Sequence, residues 1–224
     1  MTTAQLDRVA LQMAADAGAE PLFKGVRNPR ARIPFPGAIC TSINEQVVHG
    51  IPSEDTKLRE GDILSIDFGV RLQGYCGDAA VTIPIGNISE DNRRLMDVTK
   101  QVLEIAIEKA APAVRWSQVA SQMQRHAESA GFSVVRDFVG HSIGRKMHEE
   151  PKVPNFVSDE LLANDIVLTE GMVLAVEPMI NAGTSAVRTL KNGWTVVTKD
   201  GKCSAHFEHT IAIVKGGCEV LTVK

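Results

Sequence analysis

Apolar positions follow two rhythms along this chain. In "TTAQLDRVALQMAADAGAE", Leu6, Val9, Ala10, Met13 and Ala17 fall on one face at helical spacing, with Thr3 as N-cap and Gly18 able to end the helix. "SEDNRRLMDVTKQVLEIAIEKAAPAV" predicts a second helix, capped by Ser89, with acids in its first turn and Leu95, Val98, Val102, Ile105 and Ala106 facing inward. "WSQVASQMQRHAESAG" predicts a third, from an N-cap at Ser117 to Gly131 just past its end. The shorter rhythm marks strands. Residues 63–72 and 75–85 read as a hairpin about Gln73-Gly74, "FSVVRDFV" as a strand, and the tail from Gly171 onward as mostly strand. Residues 21–40 are irregular and Pro-rich.

Two of the strands carry an acid where an apolar residue is expected. "REGDILSIDFG" (59–69) ends its β-branched run on Asp67, and "TEGMVLAVEPM" (169–179) does the same on Glu177. The strands that follow also match: "DAAVTIPIG" opens on Asp78 and "EHTIAIVKG" on Glu208. Four acids repeating in order imply an internal duplication, with two similar halves (about 1–88 and 89–224) in one domain over 1–224. With a two-residue turn at 73–74, Gly69 faces Asp78, so Asp67 and Asp78 are diagonal neighbours on one sheet face. Four carboxylates in a low dielectric repel one another, so either their pKa values rise or cations sit between them. About two divalent cations give neutrality, and two metals about 3.5–4 Å apart suit hydrolysis.

Such a site recruits imidazole. "FVGHSIGRKMHEEP" offers His141 and His148, with glycines on both sides of His141 allowing close backbone approach. His49, before a Gly-Ile-Pro turn, reads either as a site residue or as a loop anchor, and His126 as a solvated helix residue. Gly140-His141-Ser142-Ile143-Gly144 also fits the G-x-S-x-G elbow of serine hydrolases, with Asp165 and His209 downstream. That motif requires a helix directly afterwards, and "RKMHEEPKVPNF" has two prolines and no apolar periodicity.

Composition narrows the picture. The net charge of −3 over 224 residues gives no overall basic field for nucleic acid or anionic membrane. No apolar run approaches the roughly 18 residues of a membrane span. The four cysteines, Cys40, Cys76, Cys203 and Cys218, lack CxxC spacing and read as the reduced thiols of a cytoplasmic protein. The basic residues of "KGVRNPRAR" suit an acidic partner such as ribosomal RNA or, equally, a solvated loop.

Five segments carry a family resemblance: "SINEQVVHGIP", "GDILSIDFGVRLQGYCGDAAVT", "GHSIGRKMHEEP", "GMVLAVEPMINAG" and "GWTVVTKDGKCSAHFEHT". Together they resemble the type I methionine aminopeptidases of metallopeptidase family M24, beginning at that family's second helix. The "HFEHT" context of the last acid is unlike that of prolidases, and the intervals around Glu177 leave no room for a type II insertion. The resemblance implies an α+β pita-bread (creatinase/aminopeptidase) fold, two pseudo-symmetric halves with a curved antiparallel sheet backed by helices. Without the first helix, apolar surface on the first half is expected to be exposed. The implied metal ligands are Asp67, Asp78, His141, Glu177 and Glu208, holding two divalent ions (Fe, Mn, Co or Zn). The implied reaction removes an initiator methionine from nascent peptides with a small second residue, by attack of a metal-activated hydroxide on the scissile carbonyl. Glu177 is then the general base, His148 and His49 contact the scissile peptide, and Cys40, Phe35, Met147 and Trp194 line the methionine pocket. His206 stands where the family usually has Gln. A monomer is expected. The competing class is a weakly active or non-catalytic paralogue serving as a binding module.

Overall fold

The structure is a computed structural model that describes residues 1–223. The first half runs α1 (Thr3–Asp16), β1 (Glu20–Pro21), β2 (Cys40–Ile43), β3 (Gln46–Val48), β4 (Ile63–Leu72) and β5 (Tyr75–Pro84). The second half opens with α2 (Glu90–Lys109), α3 (Trp116–Ser129), β6 (Ser133–Val134), β7 (Gly140–Ser142), β8 (Glu149–Val153) and α4 (Asp159–Ala163). It closes with β9 (Val173–Val176), β10 (Met179–Asn181), β11 (Val187–Thr189), β12 (Val196–Thr198), β13 (Ser204–His206), β14 (His209–Val214) and β15 (Gly217–Val220). Among the described residues no helix is long and apolar enough to cross a membrane.

The expected hairpin forms in the expected register. Leu72 pairs with Tyr75 and Gly69 with Asp78, around a turn whose Gln73 and Gly74 both have positive φ (51° and 83°). One edge of β4 pairs with β2 and β1, and the other with β5. In the second half the order is β15-β14-β9-β7-β8, all antiparallel, and His209 opposes Val176. That register sets Glu177, just past β9, beside Glu208, just before β14. The halves meet where Ala80 of β5 bridges to Glu208. Next to this bridge the Thr210 hydroxyl accepts from the Asp78 amide (2.9 Å) and donates to the Asp78 carbonyl (2.8 Å).

The main core lies behind the second half. Leu95, Val98, Val102 and Ala106 of α2 and Trp116, Val119 and Met123 of α3 bury against Leu174, Val176, Ile211 and Ile213 of the sheet. This matches the face expected of α2, with Leu103 buried as well and Ile105 only partly buried.

Three expectations need correction. The α1 face that buries is Thr3 and Ala14, while Val9 and Met13 are 54% and 64% exposed. The helix is turned inward by polar contacts: the Asp7 carboxylate accepts from the amides of Ala38 (2.6 Å) and Ile39 (3.1 Å), and Thr3 pairs with Ser53. The N-caps also move. Thr2, not Thr3, caps α1 in a reciprocal box with Gln5, and α3 begins after Arg115. Ser117 lies inside α3, where the Asp165 carboxylate accepts from its amide (3.0 Å) and its hydroxyl (2.6 Å). Finally, the strand expected over 132–139 pairs only at Ser133–Val134.

Replacing Thr210 by Val leaves the buried Asp78 amide without a partner at the junction of the halves. The unfolding free energy, measured in urea, is expected to fall by about 1–3 kcal/mol.

Candidate metal centre

The sheet junction delivers the predicted residues to one cavity of about 480 Å³. Its lining includes Asp67, Asp78, His141, Glu177 and Glu208, together with His49, His148, Cys40, Phe35, Met147 and Trp194. Ligand atoms of Asp78, His141 and Glu208 all lie within 4.8 Å of one another. His141 Nε2 is 3.7 Å from Glu177 Oε1. Asp67 sits on the same face of β4 as Gly69, the residue opposite Asp78.

Backbone contacts aim these side chains. Gly140 precedes His141 because a Cβ there would lie 2.4 Å from the Ala175 carbonyl and 2.9 Å from that of Val153. His141 Nδ1 lies 3.0 Å from the Ser142 carbonyl; as the N–H donor of that pair it leaves Nε2 free toward the acids. The Asn155 side chain donates to the Glu177 carbonyl (3.1 Å). His49 holds a left-handed backbone (φ 57°), uncommon outside glycine, and its ring packs edge-on against Phe138.

As carboxylates, Asp67 Oδ1, Asp78 Oδ1 and Glu208 Oε1 are buried with no hydrogen-bond donor in reach. Burial pushes the Asp78 pKa up to about 7. Burial first, and then mutual repulsion with Asp78, holds Asp67, Glu177 and Glu208 well above the ordinary carboxylate range. Burial also lowers His49 and His141 to about 4, so both rings are neutral at neutral pH and His141 presents a lone pair. Donor-less buried oxygens beside a neutral imidazole fit divalent metal: hard oxygen ligands with one nitrogen.

The other end of the cavity is apolar. Phe35 meets Trp194 edge-on at 5.2 Å, and Phe23, Cys40 and Met147 complete that wall. The basic loop is tied to it: Asn28 donates to the Gly193 carbonyl (2.9 Å) and the Trp194 indole to that of Ile33 (3.0 Å). Phe23 and Phe138 were not singled out from sequence. Phe23 lies in the irregular stretch with no periodic signal, and Phe138 reads as an ordinary strand residue. The serine elbow does not form. Ser142 donates to the Pro151 carbonyl (3.2 Å), no helix follows it, and Asp165 is bound to Ser117.

Comparison with known proteins agrees with this geometry. The sequence profile described as metallopeptidase family M24 matches residues 1–215. A methionine aminopeptidase of Clostridium perfringens is 48% identical over 223 residues, spanning 100% of this chain and 86% of the relative. Methionine aminopeptidase 1 of Bacillus subtilis is 46% identical over 222 residues, spanning 99% and 86%. The crystal structure of a methionine aminopeptidase from Thermotoga maritima superposes with a TM-score of 0.93 at 41% identity, over 100% of this chain and 86% of that one.

The raised carboxyl pKa values predict how the metal-free chain responds to pH. Each folded pKa exceeds its unfolded value, so the stability from these groups is full at low pH and is lost as pH rises through the folded values. The lowered histidines act in the opposite sense, but only below about pH 6.5, where unfolded imidazoles take up protons. From pH 6.5 to 8 the chelated protein is therefore expected to lose stability, by at most about 2 kcal/mol for each carboxyl still protonated at the start. Urea unfolding with chelator and with cobalt(II) checks this, and the loss should shrink when the ion is present.

Proposed function

The chain belongs to metallopeptidase family M24, and from that premise we propose that it removes the N-terminal methionine from nascent proteins and peptides whose second residue is small. The observation that carries this reading is the two-ended cavity: carboxylates with buried, unpaired oxygens at one end and an aromatic, thioether and thiol wall at the other. The α-amine of a peptide is attracted to the acids, and the flexible, apolar methionine side chain fits the wall. An internal peptide bond offers no amine, so cleavage is confined to the terminus.

Asp67, Asp78, His141, Glu177 and Glu208 would hold the metal, and four carboxylates balance two divalent ions. When bound, the metal supplies Lewis acidity, lowering the pKa of water and polarising the scissile carbonyl. Glu177 accepts the proton of the attacking water. The same carboxyl can then pass that proton to the leaving nitrogen. His148 and His49 are held neutral by burial, and each offers an N–H donor. His148 faces the carbonyl as charge develops, and His49, fixed by its backbone and Phe138, positions the scissile amide.

The binding-module reading requires none of these groups, and the chain carries all of them. The serine reading lacks its helix and its triad.

The metal-loaded chain is expected to release Met from Met-Ala-Ser but not from its N-acetylated form, as measured by amino-acid analysis. Chelator should abolish turnover, and Ser142→Ala should retain it. Glu177→Gln should lower kcat by about 10²–10⁴. Absence of Met release by folded, metal-loaded protein would overturn the proposal.

A further inference from the structure

One buried imidazole at the centre has no role in the mechanism above. His206 ends β13, where it pairs with Met179 of β10, two residues after Glu177. Its backbone is clamped to the first half: its amide donates to the Thr82 hydroxyl (2.9 Å), which in turn donates to its carbonyl (2.8 Å). The Thr82 hydroxyl also meets that of Ser65 (2.8 Å), so the clamp is anchored across the β4–β5 hairpin. The backbone of His206 is therefore held in place from both halves of the molecule.

The ring is 1% exposed, and its Nε2 has no hydrogen-bond partner. That nitrogen lies 3.8 Å from Glu177 Oε2 and 4.0 Å from Glu208 Oε2. Both separations are too long for a hydrogen bond. They match the 3.7 Å between His141 Nε2 and the other oxygen of Glu177. His141 and His206 thus flank Glu177, one imidazole per carboxylate oxygen. A buried ring nitrogen left without a partner costs free energy. Glu208 beside it also has a buried oxygen, Oε1, without a partner, and a shared third body would satisfy both groups.

We propose that His206 is a sixth protein ligand of the metal centre, giving the ions held by Glu177 and Glu208 a second imidazole. The proposal rests on the metallopeptidase reading and adds to it a statement about the metal. A centre with two nitrogen donors favours cobalt, nickel and zinc over manganese more strongly than one built from oxygens and a single imidazole.

Proton NMR of the full cobalt(II)-loaded chain tests this. Each coordinated histidine contributes one strongly shifted, solvent-exchangeable ring N–H signal. Two are expected from the unmodified protein and one from His206→Gln. Calorimetric titration of the same variant should show one cobalt equivalent weakened by at least the roughly 10–100-fold typical of disturbing a ligand's supporting contacts. Its preference for cobalt over manganese should fall as well. Glutamine keeps an N–H near the position of Nε2, so if His206 only donates a hydrogen bond to Glu177, His206→Gln leaves signals and affinity unchanged. A single shifted signal in the unmodified protein, with cobalt affinity unaltered in the variant, overturns the proposal. Absence of any shifted signal and of any cobalt equivalent in the unmodified protein overturns the metal reading itself.

Discussion

Mutual repulsion among four carboxylates lining one cavity is the constraint that the rest of this structure serves. Asp67 and Asp78 come from one hairpin, Glu177 and Glu208 from the ends of β9 and β14, and the Ala80–Glu208 bridge brings the pairs together. No single strand pairing tolerates such an arrangement without a scaffold. That scaffold is apolar behind and hydrogen-bonded at the junction: Leu174, Val176 and Ile211 pack into the main core, while Thr210 ties the backbone of Asp78 to the opposite half. The folding free energy of the packed helices and sheet offsets the cost of holding the acids together. A divalent cation returns part of that cost as binding free energy.

The same repulsion gives the cavity its polarity. The acids set a strongly negative end, and the wall of Phe35, Cys40, Met147 and Trp194 sets an apolar one. His49 and His148 stand between, neutral and able to donate. The strained backbone of His49 is over-determined by its packing on Phe138. A ligand that is cationic at one end and apolar beside it matches this gradient.

The parts of the fold that were legible in the sequence are those where local rules and burial agree. The β4–β5 register follows from alternation plus a Gln-Gly turn, and both turn residues adopt the left-handed backbone that the turn requires. The repeat of acid-bearing strands revealed the four carboxylates before any geometry was known. Helix α1 misleads because its most regular apolar stripe, with Val9 and Met13, faces outward, while Asp7 turns inward to accept backbone amides. Periodicity counts hydrophobic side chains and is blind to a carboxylate whose partners lie 31 and 32 residues away in the chain. The N-caps shift for a related reason: Asp165, distant in sequence, supplies the acceptor for the first turn of α3. Phe138 was equally hidden, because the pairing of 132–139 stops early and frees that residue to face His49.

The electrostatics also decide which nucleophile this cavity can use. Cys40 lies opposite Asp67 across β2 and β4, in a position where a thiolate would be the obvious candidate. Burial, and then the charges of Asp67 and Asp78, push its thiol well above the ordinary range, so it stays protonated and serves as apolar wall. Ser142 is the other candidate, and its hydroxyl is spent on the Pro151 carbonyl. A cavity that suppresses its own anionic nucleophiles is suited to activating a neutral one. The negative field that keeps Cys40 as a thiol is also one that attracts divalent cations. One charge distribution thus accounts both for the protonated thiol and for an attraction to cations.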